Sequence, residues 1–230
     1  MQVDYRRRAE ETWDAIAESF DSTRRLPWRQ CLDYIATLKN TDTVADIGCG
    51  NGRHLTYCAE QCRSAIGVDI SKKLLTIVQH TVDKKNIKNI SLIHADMVHL
   101  PLQQNSLDAA LCIASLHNIQ GKEPRLHSLQ EIHRVLIPSG TALISVWSRG
   151  QEKYRRFFLR QYFFHPGEFG DIDIYWRQHN LNIPRFYHLY SKREFIQELQ
   201  HVGFSIENVQ SVKIHSKRFP DNYFAVVRKR

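Results

Sequence analysis

The segment Asp46-Ile47-Gly48-Cys49-Gly50-Asn51-Gly52 sets three alternating glycines behind a carboxylate, directly after the short apolar run Thr43 to Ile47. Glycines in that pattern permit a tight turn and let a ligand approach the backbone N–H groups at the start of a helix. Asp69 closes the next apolar run, Ala65 to Asp69, 23 residues beyond Asp46. A carboxylate at the tip of a second strand is placed to accept hydrogen bonds from a ribose diol. The spacing is G-x-G-x-G, without the sixth-position glycine of a dinucleotide loop. A carboxylate at Asp46 would also repel a pyrophosphate. It suits instead the ammonium group of an amino-acid moiety, which points to a cationic ligand such as S-adenosylmethionine.

These residues need strands and helices to hold them, and the apolar pattern supplies both. Strands are expected at 43–47, 65–69, 90–94, 107–114 and 141–147. A helix starts near Arg53, and Ser71 caps another that carries Leu74, Leu75, Ile77 and Val78. A third carries the stripe Leu126, Leu129, Ile132, Val135 and Leu136, closed by Pro138 and Gly140. Strands alternating with helices predict an α/β fold with a parallel sheet covered on both faces. The first forty residues read as a helical cap broken near Leu26-Pro27, with Trp13, Ile16, Ala17 and Phe20 at helical spacing. At the other end, Ser191 caps a helix to about His201, and Phe204 to Val209 and Tyr223 to Val227 are expected to pair as a terminal antiparallel hairpin.

Between these parts lies an insertion, 150–190, before the last helix. Residues 154–190 hold 12 of the chain's 24 aromatics, mixed with Arg155, Arg156, Arg160, Arg177 and Arg185, so this stretch is no linker. It is either a lid packed on the ligand edge of the sheet or a set of stacking platforms for bases.

With 230 residues, one domain spanning 1–230 is expected. Composition, 42% hydrophobic and 24% charged, argues against a disordered chain. No apolar stretch approaches the ~20 residues of a membrane span, and Met1 to Glu11 is charged where a secretory signal would be apolar, so a cytosolic protein is expected. A net charge of +8 favours a polyanionic partner. The five cysteines are scattered, against a disulfide framework, and Cys49 reads as a packing residue. Neither H-x-x-x-H nor C-x-x-C occurs, so no metal is expected in this chain.

The glycine loop, Val68-Asp69-Ile70-Ser71 and Ala95-Asp96-Met97 together resemble the seven-strand class I methyltransferases. That resemblance implies S-adenosylmethionine held by Asp46, Gly48, Cys49, Gly50, Asn51, Gly52, Asp69 and Ile70, with Ala95, Asp96 and Met97 near the adenine. Ile113 would also contact the cofactor, from the fourth strand, Leu111 to Ala114, which would run beneath the substrate. Four further stretches resemble the tRNA wobble-uridine carboxymethyl methyltransferases, including the methyltransferase half of the AlkB-homologue fusions. They are Phe20-Asp-Ser-Thr-Arg24-Arg25-Leu-Pro27-Trp28, Ile113-Ala-Ser-Leu-His117-Asn118, Ser145-Val-Trp147 and Arg185-Phe-Tyr187-His188-Leu-Tyr190. Asn118 departs from the family's V-H-H.

Members of that family methylate the carboxylate of 5-carboxymethyluridine at the wobble position of the tRNA anticodon loop. A carboxylate is already ionised at neutral pH, so positioning, rather than a strong general base, should dominate. Arg24, His117 and Arg185 are the expected catalytic residues. Arg25, Trp28, Asn118, Trp147, Tyr187 and His188 are the expected substrate contacts. For Arg25 solvated charge, for His117 a strand-end hydrogen bond, for Trp147 core packing, and for Arg185 and His188 an internal brace are the competing structural roles. The resemblance also implies a small zinc-binding activator subunit paired along the third strand, 90–95, at a free sheet edge. A small-molecule methyltransferase or a noncatalytic S-adenosylmethionine or RNA-binding scaffold stands as the alternative.

Overall fold

The computed structural model describes residues 2–164 and 167–230. His165 and Pro166 of the insertion, and the side chains of 162–164, lie outside the described residues. Helices α1 (Gln2–Thr23) and α2 (Arg29–Ile35) precede the sheet. The alternating half then runs β1 (Thr43–Ile47), α3 (Leu55–Gln61), β2 (Ser64–Asp69), α4 (Lys72–Lys85), β3 (Ile90–His94), β4 (Leu107–Ile113), α5 (Lys122–Val135) and β5 (Leu136–Trp147). The insertion contributes α6 (Arg155–Phe164) and a separate hairpin of β6 (Asp171–Trp176) and β7 (Ile183–His188). Helix α7 (Lys192–His201) leads into the last two strands, β8 (Phe204–Val212) and β9 (Asn222–Lys229). The seven-stranded order is β3-β2-β1-β4-β5-β9-β8, parallel except for β9.

β1 and β4 lie centrally and are buried on both faces. One face packs Leu129 and Ile132 of α5 with Phe195 and Leu199 of α7. The other packs Ile35, Leu55, Cys58 and Val78. Each such large side chain contributes about 1.5–3 kcal/mol on leaving water. Local signals fix the helix ends: Ser71 accepts the Leu74 N–H at 3.1 Å, and Ser191 and Glu194 form a reciprocal capping box. Among the described residues no helix is long and apolar enough to cross a membrane. All five cysteines are buried with free thiols.

Several boundaries differ from the sequence expectation: β4 ends at Ile113, β8 runs on to Val212 and β9 spans Asn222–Lys229, and two further differences have a local cause. α3 starts at Leu55, not Arg53, because residues 52–54 are taken up by the glycine turn. β5 starts at Leu136, not Thr141, since Leu136 already pairs with Leu107 before the register shifts at Ala109 and Thr141. Pro138, Ser139 and Gly140 thus interrupt the strand without ending it, and Ser139 takes a positive φ of 66°.

The carboxyl ends of β1, β2, β4 and β5 share one edge, where ligands bind in open parallel sheets. α1 and the insertion cover that edge together. Trp176 Nε1 donates to Ser19 Oγ at 2.8 Å, and Ser19 Oγ lies 2.7 Å from His179 Nδ1, so the hairpin docks on α1. Of the two roles open for the insertion, the hairpin is packed as a lid.

Candidate active site

Gly48, Gly50 and Gly52 all have positive φ, 73°, 56° and 75°. A Cβ on Gly48 would lie 2.2 Å from Ser115 Oγ, so the turn and the end of β4 close together only over glycine. Asp69 secures the turn: its Oδ2 accepts the Gly50 N–H at 2.8 Å and its Oδ1 the Ser71 N–H at 2.9 Å. α1 closes over the loop from above. Asn51 Nδ2 donates to Asp21 Oδ1 and to the Arg24 carbonyl, Asp14 accepts from Ser71 Oγ at 2.5 Å, and Phe20 faces Gly50.

Asp46 is 1% exposed, and its Oδ2 has no hydrogen-bond partner. Burial first, and the neighbouring Asp69 second, push its carboxyl up to about 7, against the pull of Arg53 and the Leu55 N–H. Such a group favours a cation placed beside it. Ala95 and Met97 are buried beyond β3, and Asp96 Oδ1 accepts the Val98 N–H at 3.0 Å. Ile70 follows β2 and Ile113 ends β4 at the same edge. Burial and the adjacent Asp69 and Asp46 hold the Cys49 thiol well above its ordinary value, which fits a packing role.

Arg185 makes the second half of the site. Its guanidinium carbon lies 4.8 Å from the Trp176 ring centre, 5.0 Å from Tyr187 and 5.6 Å from Trp13. Arg185 is 8% exposed, its Nε has no partner, and among the described residues no carboxylate forms an ion pair with it. Arg24 stands over the same Trp176 ring at 5.4 Å, and burial together with this like charge lowers the Arg185 pKa. Two guanidiniums gathered in an aromatic cage away from carboxylates form a site for an anion. A run of ring contacts ties this cage to the glycine loop: Phe20, against Gly50, lies 5.7 Å from Trp13 and 6.0 Å from Trp176. No spacing in the sequence points to Trp13 or Trp176 as site residues; Trp13 shows there only as one apolar position on a helix stripe.

His117 is 1% exposed and stacks on Tyr187 at 5.2 Å, with Trp147 5.5 Å away. The Trp147 backbone N–H donates to His117 Nδ1 at 3.1 Å. Burial, with Arg185 and His188 nearby, pushes the imidazole down to about 3. His117 is therefore neutral, with Nδ1 committed as an acceptor and the proton on Nε2. Of the two roles open for His117, the strand-end hydrogen bond is present, and a neutral Nε2–H is what it has left to offer a substrate. Asn118 Nδ2 donates to the Ala114 carbonyl at 2.9 Å, while its Oδ1 is buried without a partner.

Tyr187 is 2% exposed and stacked 4.9 Å from Trp147, so its ring faces protein and offers no open face for a base. Trp28 sits apart from the cage: it packs edge-on to Phe224 at 5.7 Å and lies beneath Arg53. Arg25 is exposed.

His188 is fully buried, with Nδ1 2.7 Å from Asp171 and Nε2 3.0 Å from Glu194. Both nitrogens are spent inside the chain, so the expected substrate contact is replaced by a brace that holds β7. Burial alone would lower its pKa, but these two carboxylates outweigh it and raise it. Glu168, His188 and Glu194 bring ligand-type atoms within 4.8 Å of one another. The cation already in that cluster is the buried Arg125 guanidinium, paired with Glu168 and 3.7 Å from Glu198.

A family model described as a methyltransferase domain matches residues 45–144. The tRNA (carboxymethyluridine(34)-5-O)-methyltransferase alkbh8 of Xenopus tropicalis is 36% identical over 142 residues, taking in 62% of this chain but only 21% of that protein. The chain thus spans about a fifth of the first relatives it matches. The tRNA (carboxymethyluridine(34)-5-O)-methyltransferase of Schizosaccharomyces pombe is 28% identical over 221 residues, covering 90% of this chain and 92% of that one. Among solved structures, a SAM-dependent methyltransferase from Methanosarcina mazei superposes with a TM-score of 0.74 at 17% identity, over 89% of this chain and 98% of that one. A Haloferax volcanii methyltransferase solved with the Trm112 methyltransferase activator superposes with a TM-score of 0.66 at 16% identity, over 94% and 97%. Residues 45–144 form a methyltransferase domain, and the seven-stranded sheet that holds them has the class I S-adenosylmethionine-dependent methyltransferase fold. The chain is homologous to the tRNA carboxymethyluridine(34) methyltransferases, at 28–36% identity to the relatives just named.

Proposed function

We propose that the protein methylates the carboxylate of 5-carboxymethyluridine at tRNA wobble position 34, forming the methyl ester. The buried Arg185 with the half-buried Arg24 beside it, in an aromatic cage joined to the cofactor loop through Phe20, carries this reading. The residues present fit the cofactor: Asp46 Oδ2 is a buried acceptor with no donor, and the positive-φ turn beside it is built on glycine at 48, 50 and 52. S-adenosylmethionine supplies an electrophilic methyl group when bound. Asp46 would hold its ammonium, Asp69 its ribose, the 48–52 turn its carboxylate side, and Ala95 to Met97 its adenine.

On the substrate side, Arg185 and Arg24 orient the anion and replace the water it loses. They act on the oxygen that does not attack, which preserves the nucleophile's free lone pair. His117 contributes a neutral Nε2–H donor and no base, as suits a carboxylate already ionised. Arg25, exposed beside Arg24, reaches toward phosphate, and Asn118 Oδ1 offers an acceptor to the nucleoside. His188 and Tyr187 hold β7 and its Arg185 in place. A small carboxylic acid would satisfy the same cage, and the experiment separates the two. Purified protein is incubated with labelled S-adenosylmethionine and tRNA bearing 5-carboxymethyluridine, and nucleosides are analysed for a base-labile methyl ester. Ester at the wobble uridine supports the proposal; cofactor binding without transfer to that RNA overturns it.

Cofactor affinity should follow Asp46. Its free carboxyl titrates at about 7, and a bound ammonium favours the ionised form. The dissociation constant should therefore rise about tenfold per pH unit below 7 and level off above it. Calorimetry in buffers of different ionisation enthalpy should show a proton released on binding near pH 6. A flat affinity from pH 5.5 to 7.5 would remove Asp46 from the ammonium site.

β3 ends the sheet with one side unpaired, and its apolar residues Ile90, Leu92 and Ile93 are only half-buried. We propose this edge, 90–95, for a zinc-binding activator subunit; that the Haloferax volcanii neighbour was solved with a methyltransferase activator supports a partner of this kind. Purified activator should slow amide exchange at 90–95, and unchanged exchange in a stable complex would place the contact elsewhere.

A further inference from the structure

At the same carboxyl edge of the sheet a cavity of about 460 Å³ opens between the start of the insertion and loop 213–221, which joins β8 to β9. Trp147 serves both places: its ring stacks on Tyr187 in the active site and lines this cavity. The carboxylates there are turned to backbone donors. Glu152 accepts the N–H groups of Arg218 and Phe219, and Asp221 accepts those of Ile214, His215 and Ser216 at 2.8, 2.6 and 2.8 Å. These bonds fix the loop against the insertion.

Lys153, Lys217 and Arg218, which also line the cavity, are exposed and form no ion pair among the described residues. Asn222, 3% exposed, completes the wall. Its Nδ2 donates to Asp221 Oδ1 at 3.1 Å, while its Oδ1 is buried with no donor. A buried acceptor left without a donor costs about 1–3 kcal/mol, so it favours a ligand that brings an N–H.

We propose that this cavity is a second nucleotide subsite, which receives the residue next to the target in an RNA strand. An aromatic wall suits a base face, the three cations suit the phosphate that links the two nucleotides, and Asn222 Oδ1 suits an N–H on the base edge. The volume lies within the ~300–1,000 Å³ of ligand pockets. The inference rests on the RNA reading of the active site and adds a length requirement to it: one nucleoside fills the cage, two linked nucleotides fill both.

The test pairs wild type with the double variant Lys217→Ala/Arg218→Ala, both side chains being exposed. Binding of a labelled anticodon stem-loop RNA is measured against salt, together with S-adenosylmethionine affinity and kcat/KM on the stem-loop and on free 5-carboxymethyluridine. The double variant should bind the stem-loop about tenfold more weakly and lose about one to two from the salt slope, with cofactor affinity kept and the loss of transfer confined to RNA. Asn222→Ala should raise KM for the stem-loop without lowering kcat. Stem-loop binding within twofold of wild type, or an equal loss on the free nucleoside, overturns the subsite. Wild type that binds RNA and transfers no methyl group overturns the ester reading, while the binding contrast still judges the cavity.

Discussion

Arg185→Met should lower methyl transfer to the carboxylate-bearing substrate about 100-fold or more, with S-adenosylmethionine affinity within twofold of wild type. Truncating one side of a desolvated charge pair costs about 2–5 kcal/mol, and each 1.36 kcal/mol is tenfold in rate. The same change should leave the melting temperature equal or higher. In the free protein Arg185 is buried among Trp13, Trp176 and Tyr187 with Arg24 as its charged neighbour, an arrangement that desolvates a cation without an anion to offset it. An apolar side chain of similar length keeps the packing and removes that cost. Activity and stability should thus move in opposite directions. A parallel fall in melting temperature and activity would make Arg185 a structural residue, and a fall in cofactor affinity would move it to the other half of the site.

Arg125→Met has the opposite signature. The guanidinium is wholly buried between Glu168 and Glu198 and lies over the Tyr190 ring, whose hydroxyl bonds Glu198 at 2.9 Å. Removing it strands buried acid, for which a loss of about 3–5 kcal/mol is expected. That is a large part of the ~5–15 kcal/mol that holds a domain folded. Adding Glu198→Gln should recover part of it, and urea unfolding measures both; a loss below about 1 kcal/mol would show that water replaces the guanidinium.

His188 joins the same network with a pH signature. Its folded pKa is raised, so its contribution is complete below the ordinary imidazole value of about 6.5 and fades as pH rises through the folded value. The lid should be tightest in mildly acidic solution.

Much of the scaffold is legible in the chain because its signals are local. The apolar runs around Val44, Val68 and Leu111 announce strands, and Ser71 and Ser191 announce the helices they cap. Asp46, the glycines and Asp69 stand out because a turn of positive φ next to a carboxylate leaves few other uses. The aromatic cage was not legible. It brings residues 13, 176 and 185 together from a helix and two strands of a hairpin, and no spacing in sequence relates them. His188 illustrates a second limit. Its type suits a ligand contact as well as a brace, and only the positions of Asp171 and Glu194 decide between them. The extension of β5 through Pro138 and Gly140 shows a third: residues that stop most strands can sit in a bulge when the partner strand continues past them.

Helix α1 bonds Ser71 through Asp14 and Asn51 through Asp21, and its Ser19 receives the lid hairpin. Every spent cofactor must therefore leave beneath a helix that is also fastened to the substrate side. Residence time, rather than equilibrium affinity, is the quantity this arrangement governs. A charged substrate that pulls Arg185 and the hairpin inward would lengthen the cofactor's stay until the ester forms, and the neutral product would let go of both at once. On the proposed function the first helix would then set the timing of turnover, readable as the off-rate of S-adenosylhomocysteine with and without a bound carboxylate.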